Sequence, residues 1–152
     1  MSLGSAEFET IINDQSKVIA GDISWSEDED HSPSVEFRVE VSSASGWPLF
    51  VCGSYNPLAQ TVSYVLILKT TGRIYGLDVG KGHHNPTCET LNDTHKHRWT
   101  ENDKGKWAYI PQDITAEASN PVDLWQQFCR EANLSHNGRL SSPPPFQKEL
   151  FL

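Results

Sequence analysis

The sequence predicts an α+β fold: an antiparallel meander sheet of five to seven strands with a C-terminal helix packed on one face. Three patterns carry that prediction. Residues 35–41 alternate strictly, with Val35, Phe37, Val39 and Val41 on one side and Glu36, Arg38 and Glu40 on the other, as in a half-buried antiparallel strand. Residues 61–69 are apolar on both faces and run into Thr70-Thr71-Gly72, the signature of a central strand entering a tight turn. After Asn120-Pro121, the residues Val122, Trp125, Phe128, Cys129 and Ala132 recur at three- and four-residue spacing, which lays one apolar helix face on a sheet.

The remaining elements follow in chain order. Residues 6–13 read as a short helix. In residues 19–25, Ile19, Gly21, Ile23 and Trp25 share a face, so this segment is expected to pair with 35–41 across the polar loop Ser26 to Pro33. A third strand is expected around 49–52 and a fifth over 73–79. After a long loop at 80–94, a short strand at 95–101, a turn at 102–106 and a last strand at 107–110 complete the sheet. Pro111 ends it. The helix should span 121–133, and the tail from Ser141, with Pro143-Pro144-Pro145, should be extended. Residues 1–5 read as a leader outside the fold, and the rest as one domain.

At 37% hydrophobic and 21% charged, the 152 residues can bury a core, and no run approaches the roughly 18 apolar residues of a spanning helix. No membrane partner is expected. Cys52, Cys88 and Cys129 are widely spaced and odd in number, which suits a reducing, cytoplasmic setting. Residues 1–40 hold ten acidic side chains against Lys17 and Arg38, so the whole net charge of −8 resides there and residues 41–152 balance. A field of that sign opposes non-specific polyanion binding. No basic recognition helix supports sequence-specific DNA binding, no helix follows Gly76, Gly80 and Gly82 to make a phosphate loop, and Ser42, Ser43 and Ser45 lack a nucleophile elbow.

The unusual chemistry lies in residues 73–109. Here His83-His84-Asn85-Pro86 precedes His95-Lys96-His97-Arg98-Trp99, with Arg73, Asp78 and Cys88 near in sequence. On a strand, His95 and His97 point to one face with Cα atoms roughly 6.5 Å apart. Arg98 falls on the opposite face, where it would cover apolar surface or pair with Asp78. The stretch from Arg73 through Asp78, Gly80, His83-His84-Asn85-Pro86 and His95-x-His97-Arg98-Trp99 to Trp107-Ala108 resembles an uncharacterised family of small bacterial and prophage-encoded proteins. The resemblance implies that these residues act together and supplies no reaction. Family relatives often carry Asp-Gly after the Asn-Pro, whereas Thr87-Cys88 follow here, which argues against Cys88 as a ligand or nucleophile.

Three readings compete for the cluster. In the first, His95, His97 and His84 perform acid–base chemistry on a phosphodiester such as RNA. Asp78 would hold a tautomer, Arg98, Arg73 or Lys96 would offset phosphoryl charge, and Asn85 and Trp99 would complete the binding set. In the second, His95, His97 and His83, or His84 in its place, ligate zinc and leave a fourth position to Asp78, Cys88 or water. In the third, the histidines pack and hydrogen-bond without further role. A different class of function, a non-catalytic antitoxin-like or phage-derived module, would recognise a basic protein through the acidic residues around Glu27, Asp28, Glu29 and Asp30.

Overall fold

The computed structural model describes residues 3–80, 94–104, 106 and 108–144, together with the backbone of 83–84 and 90–91. Helix α1 (Ser5–Asn13) and strand β1 (Val18–Ala20) come first, followed by β2 (Ser26–Glu27), a 3-10 turn (Glu29–His31) and β3 (Val35–Val41). Then come β4 (Leu49–Asn56), β5 (Thr61–Leu68), β6 (Gly72–Val79), β7 (His83–His84), β8 (Thr90–Leu91), β9 (His95–Arg98) and β10 (Ala108–Tyr109). Helix α2 (Pro121–Glu131) and β11 (Ser135–Asn137) follow. Neither helix is long and apolar enough to cross a membrane.

Seven strands form one sheet in the order β10-β9-β6-β5-β4-β3-β2, with every neighbouring pair antiparallel. This is the expected α+β meander, with β7 and β8 paired to each other in the segment between β6 and β9. Strand β5, apolar on both faces, lies at the centre of the order. Its Val62, Tyr64 and Leu66 are buried on the helix side, while Val65 and Ile67 are half-buried on the other. Phe37 on β3 lies over Gly53 on β4, where an added Cβ would come within 2.2 Å of the ring. Only glycine leaves that space.

Helix α2 begins with Pro121 at its first turn and lays Leu124, Trp125, Phe128 and Cys129 on the sheet. The Trp125 ring sits 5.4 Å from Phe37 and 5.2 Å from Tyr64, and Phe128 sits 5.9 Å from Tyr75. The Tyr64 hydroxyl donates to the Pro121 carbonyl at 2.5 Å, tying the helix start to the central strand. Burial pushes the Cys129 thiol up to about 12, so it acts as a small core residue. Helix α1 buries Phe8, Ile11 and Ile12, and its last carbonyls find a donor in Lys17. The buried Lys17 Nζ donates to the carbonyls of Ile11, Ile12 and Asp14 at 2.7, 3.0 and 2.6 Å, where a cation also meets the negative end of the helix.

Two expectations need correction. Residues 19–25 do not form the hairpin partner of β3, because Gly21 turns left-handed at φ 85° and breaks the extended run. Upstream of it, β1 pairs in parallel with β11, and downstream only Ser26 and Glu27 pair with β3. Leu3, set aside with the leader, is buried, and α1 begins within that stretch, at Ser5. The Trp99 indole donates to the Leu3 carbonyl at 2.9 Å. The residues from Pro145 onward lie outside the described set.

Trp125 joins three parts of the chain, since its indole N–H also donates to His136 Nδ1 at 3.1 Å and His136 Nε2 in turn meets the Gly21 carbonyl at 2.8 Å. Replacing Trp125 by Ala is expected to cost about 3–5 kcal/mol through the cavity it leaves. A thermal melt checks this, and an unchanged midpoint would mean that α2 does not depend on that ring.

Candidate functional site

The site is set by register. Strand β6 contains a one-residue irregularity: Leu66 pairs with Tyr75, yet Ile67 pairs with Arg73, leaving Ile74 as the extra residue. The Trp99 amide donates to the Ile74 carbonyl at 2.9 Å, so the bulge is not left unpaired. Because side chains alternate with period two, the shift moves everything after it to the other face. Tyr75 and Leu77 turn under the helices, and Gly76 and Asp78 turn to the opposite face, joining Arg73 from before the bulge. Ser63 on β5 pairs with Asp78, and on the other side His95 pairs with Asp78 and His97 with Gly76.

Four side chains from three strands therefore converge. His95 Nε2 lies 3.3 Å and His97 Nε2 3.2 Å from Asp78 Oδ2, and the Ser63 hydroxyl donates to Asp78 Oδ1. The two imidazole rings are 5.1 Å apart at 71° to each other. Both histidine side chains are buried at 2% and 3% exposure, whereas Asp78 keeps 15%, so the carboxylate is the part of the cluster nearest solvent. Burial by itself would raise the Asp78 carboxyl. The hydrogen bonds from His95, His97 and Ser63 outweigh it and hold the group well below the usual carboxylate range, so it is an anion at neutral pH. Arg73 is half-buried on the same face, its Cδ 3.5 Å from where a Cβ on Gly76 would stand.

Next to Ser63, a groove of about 440 Å³ crosses the open face of the sheet past Ser54 and Cys52 to Glu36, Arg38 and Ser26. Arg38 stacks over the Phe50 ring at 3.8 Å on that face. The groove is a shallow surface that adjoins the cluster without enclosing it.

The other residues singled out in the sequence go elsewhere. Lys96 and Arg98 alternate to the helix face. The fully buried Lys96 Nζ meets Asp113 Oδ2 at 2.8 Å and Glu131 Oε2 at 2.6 Å, above the Tyr75 ring. Burial lowers its ammonium pKa and the Asp113 carboxylate opposes that shift. Arg98 pairs with Glu9 of α1 and covers the Phe8 ring at 4.9 Å, with Asp78 on the far side of the sheet. Trp99 is buried against Leu3. Lys96 and Arg98 hold helices to the sheet, and Trp99 ties the end of β9 to the segment before α1. For His83 and His84 the structure describes backbone alone, paired with Leu91 and Thr90, and Asn85 and Cys88 lie outside the described residues. Around the acidic turn, Asp28 accepts the Asp30 amide and meets His31 Nδ1 at 3.1 Å, while Glu27, Glu29 and Asp30 are exposed.

Ser63 was missed. It lies fifteen residues before its partner Asp78, and the only signal for it is the pairing across the Thr70-Thr71-Gly72 turn. An ideal hairpin through that turn would set Ser63 opposite Leu77, so the bulge had to be known first.

Among the described residues, the grouping able to hold a metal ion is Asp78, His95 and His97, whose ligating atoms all lie within 4.8 Å of one another. The model of a family of unknown function, DUF6978, matches residues 3–134, which takes in both helices and the whole seven-stranded sheet. No curated protein and no solved structure matches the chain.

The placement of Lys96 has a measurable consequence. Lys96→Met leaves Asp113 and Glu131 without their cation and is expected to destabilise the fold by about 2–4 kcal/mol, below the full cost of a buried pair because both carboxylates remain about one-third exposed. Denaturant titration checks this. Unchanged stability with altered ligand binding would instead put Lys96 at a functional surface.

Proposed function

The chain belongs to this family of unknown function, and we propose that it is a small histidine-dependent hydrolase acting on a phosphodiester of RNA type, with Asp78, His95 and His97 as its reacting centre. One observation carries the reading: a single carboxylate oxygen lies 3.2 and 3.3 Å from the Nε2 atoms of two buried imidazoles. Phosphodiester cleavage needs a group that takes a proton from the attacking hydroxyl or water and another that returns one to the leaving oxygen, and paired imidazoles supply both. Asp78 sets the orientation of the rings, as a third group does for the base in other nucleophilic centres. Ser63 occupies the second carboxylate oxygen and so aims Oδ2 at the histidines. Of the three cations named for steadying charge on the phosphoryl oxygens, Arg73 lies on this face and would serve, whereas Arg98 and Lys96 face the helices. The adjoining groove, with Ser54 and Arg38 along it, offers a path for the flanking chain of the substrate. The free thiols of Cys52 and Cys129 support the reducing, cytoplasmic setting.

Incubating the purified chain with mixed single-stranded RNA, with and without chelator, tests the proposal. Cleavage is expected from the unaltered chain and should fall by about 100-fold or more in His97→Ala and Asp78→Asn. Lys96→Met, once folded, should retain it. Intact RNA under all conditions between pH 5 and 8 would overturn the reading.

A further inference from the structure

We propose that Asp78 Oδ2, His95 Nε2 and His97 Nε2 form a three-ligand site for a divalent transition metal of the zinc class. This goes beyond the hydrolase reading, which needs only the bare side chains, and does not depend on it.

The argument is one of donor chemistry and spacing. Two imidazole nitrogens and one carboxylate oxygen suit zinc and its first-row neighbours, whereas magnesium and calcium prefer shells built from oxygen. A tetrahedral ion with bonds of about 2.0–2.1 Å places adjacent ligand atoms about 3.3 Å from one another. The two Asp78–histidine distances, 3.3 and 3.2 Å, already have that length. The third edge lies within 4.8 Å, and the rings, inclined at 71°, would turn toward each other to close it on an ion. In the metal-bound form the ion takes the place of the protons now shared between Asp78 and the two Nε2 atoms.

The surroundings fit a metal centre as well. The two strand histidines are held by the β6–β9 ladder, with their Cα positions fixed against Asp78 and Gly76. The Ser63 hydroxyl donates to Asp78 Oδ1, the outer-shell bond expected of a ligating carboxylate. Three protein ligands leave a fourth position for water or substrate, and the side from which it is reached is that of Asp78, the most exposed of the three. One carboxylate against a divalent ion leaves the centre net positive, so the ligand class it would take in that position is an anionic oxygen, such as a phosphoryl group. Arg73 on the same face adds to that preference.

The test uses the full chain without a polyhistidine tag, stripped with a chelator and dialysed, then titrated with zinc against a chromophoric chelator and, separately, with cobalt(II). One equivalent of zinc is expected, together with the intense visible bands of four-coordinate cobalt. Asp78→Asn, which preserves shape, and His97→Ala should each weaken binding by more than about 100-fold, and Ser63→Ala by about 10-fold or more. Circular dichroism establishes that each variant is folded. Should His97→Ala fail to fold, His97→Cys, which offers zinc a thiolate, should restore one-equivalent binding, and zinc should raise the thermal midpoint of the unaltered chain and not that of Asp78→Asn. Less than one equivalent bound by the unaltered chain, or equal affinity in Asp78→Asn, would overturn the site. Intact RNA with both the fully loaded and the metal-free protein would overturn the hydrolase reading alone. RNA cleavage persisting in chelator, with no zinc uptake, would overturn the metal site alone.

Discussion

The candidate site depends on one extra residue in β6. Before the bulge, Arg73 faces away from the helices. After it, Gly76 and Asp78 do so, although the parity of an unbroken strand would have sent them inward. The alternative is easily costed in kind. Without the shift, Asp78 would stand opposite Val62, beneath the aromatic layer made by Tyr64, Trp125 and Phe128, as an ion with no donor set to hold it. Tyr75 and Leu77 would lie among the histidines. A single change of register would exchange a carboxylate for a core side chain on each face, so the bulge is a condition of both the core and the cluster.

Strand β9 shows how little chain is needed to serve two faces. Its four residues alternate strictly, with His95 and His97 to one side and Lys96 and Arg98 to the other. The two cations attach the helices: Lys96 pairs with Glu131 of α2 and with Asp113, and Arg98 pairs with Glu9 of α1. The histidine spacing on one face is thus held by charge pairs on the other. Lys96 and Arg98 are neutralised against groups that are distant in sequence, while Arg73 and Arg38 lie on the histidine face.

Much of the fold was legible because alternation and helical spacing are local. The strict pattern of residues 35–41, the two-faced apolar run of β5 and the apolar stripe of α2 each identify an element and its buried side from nearby residues alone. What was not legible depends on partners far apart in sequence. Gly21 looks like one more residue on an apolar face until its left-handed conformation sends β1 to pair with β11, more than a hundred residues away. The site divides the same way. That His95 and His97 share a face follows from their spacing, and that Arg98 opposes them follows equally. That Asp78, rather than a loop histidine, stands between them, with Ser63 behind it, follows only from the pairing of β5, β6 and β9 and from the bulge that shifts it.

The identity of that third group matters physically. Three imidazoles around one point would bring no formal negative charge to offset that of a bound cation, and each ring would need an outside partner to fix its orientation. A carboxylate in the third place supplies both. It accepts from His95, His97 and Ser63 at once, and those bonds keep it ionised in spite of burial. A buried anion with three donors around it is stable as it stands, yet it concentrates negative charge at the one atom both imidazoles face. Any positive species that can replace the bridging protons is drawn to that atom, which Ser63 holds through one carboxylate oxygen and the two strand histidines face at the other. The chemistry of the cluster is therefore governed by a charge placed through backbone register, and only secondarily by the number of histidines the sequence carries.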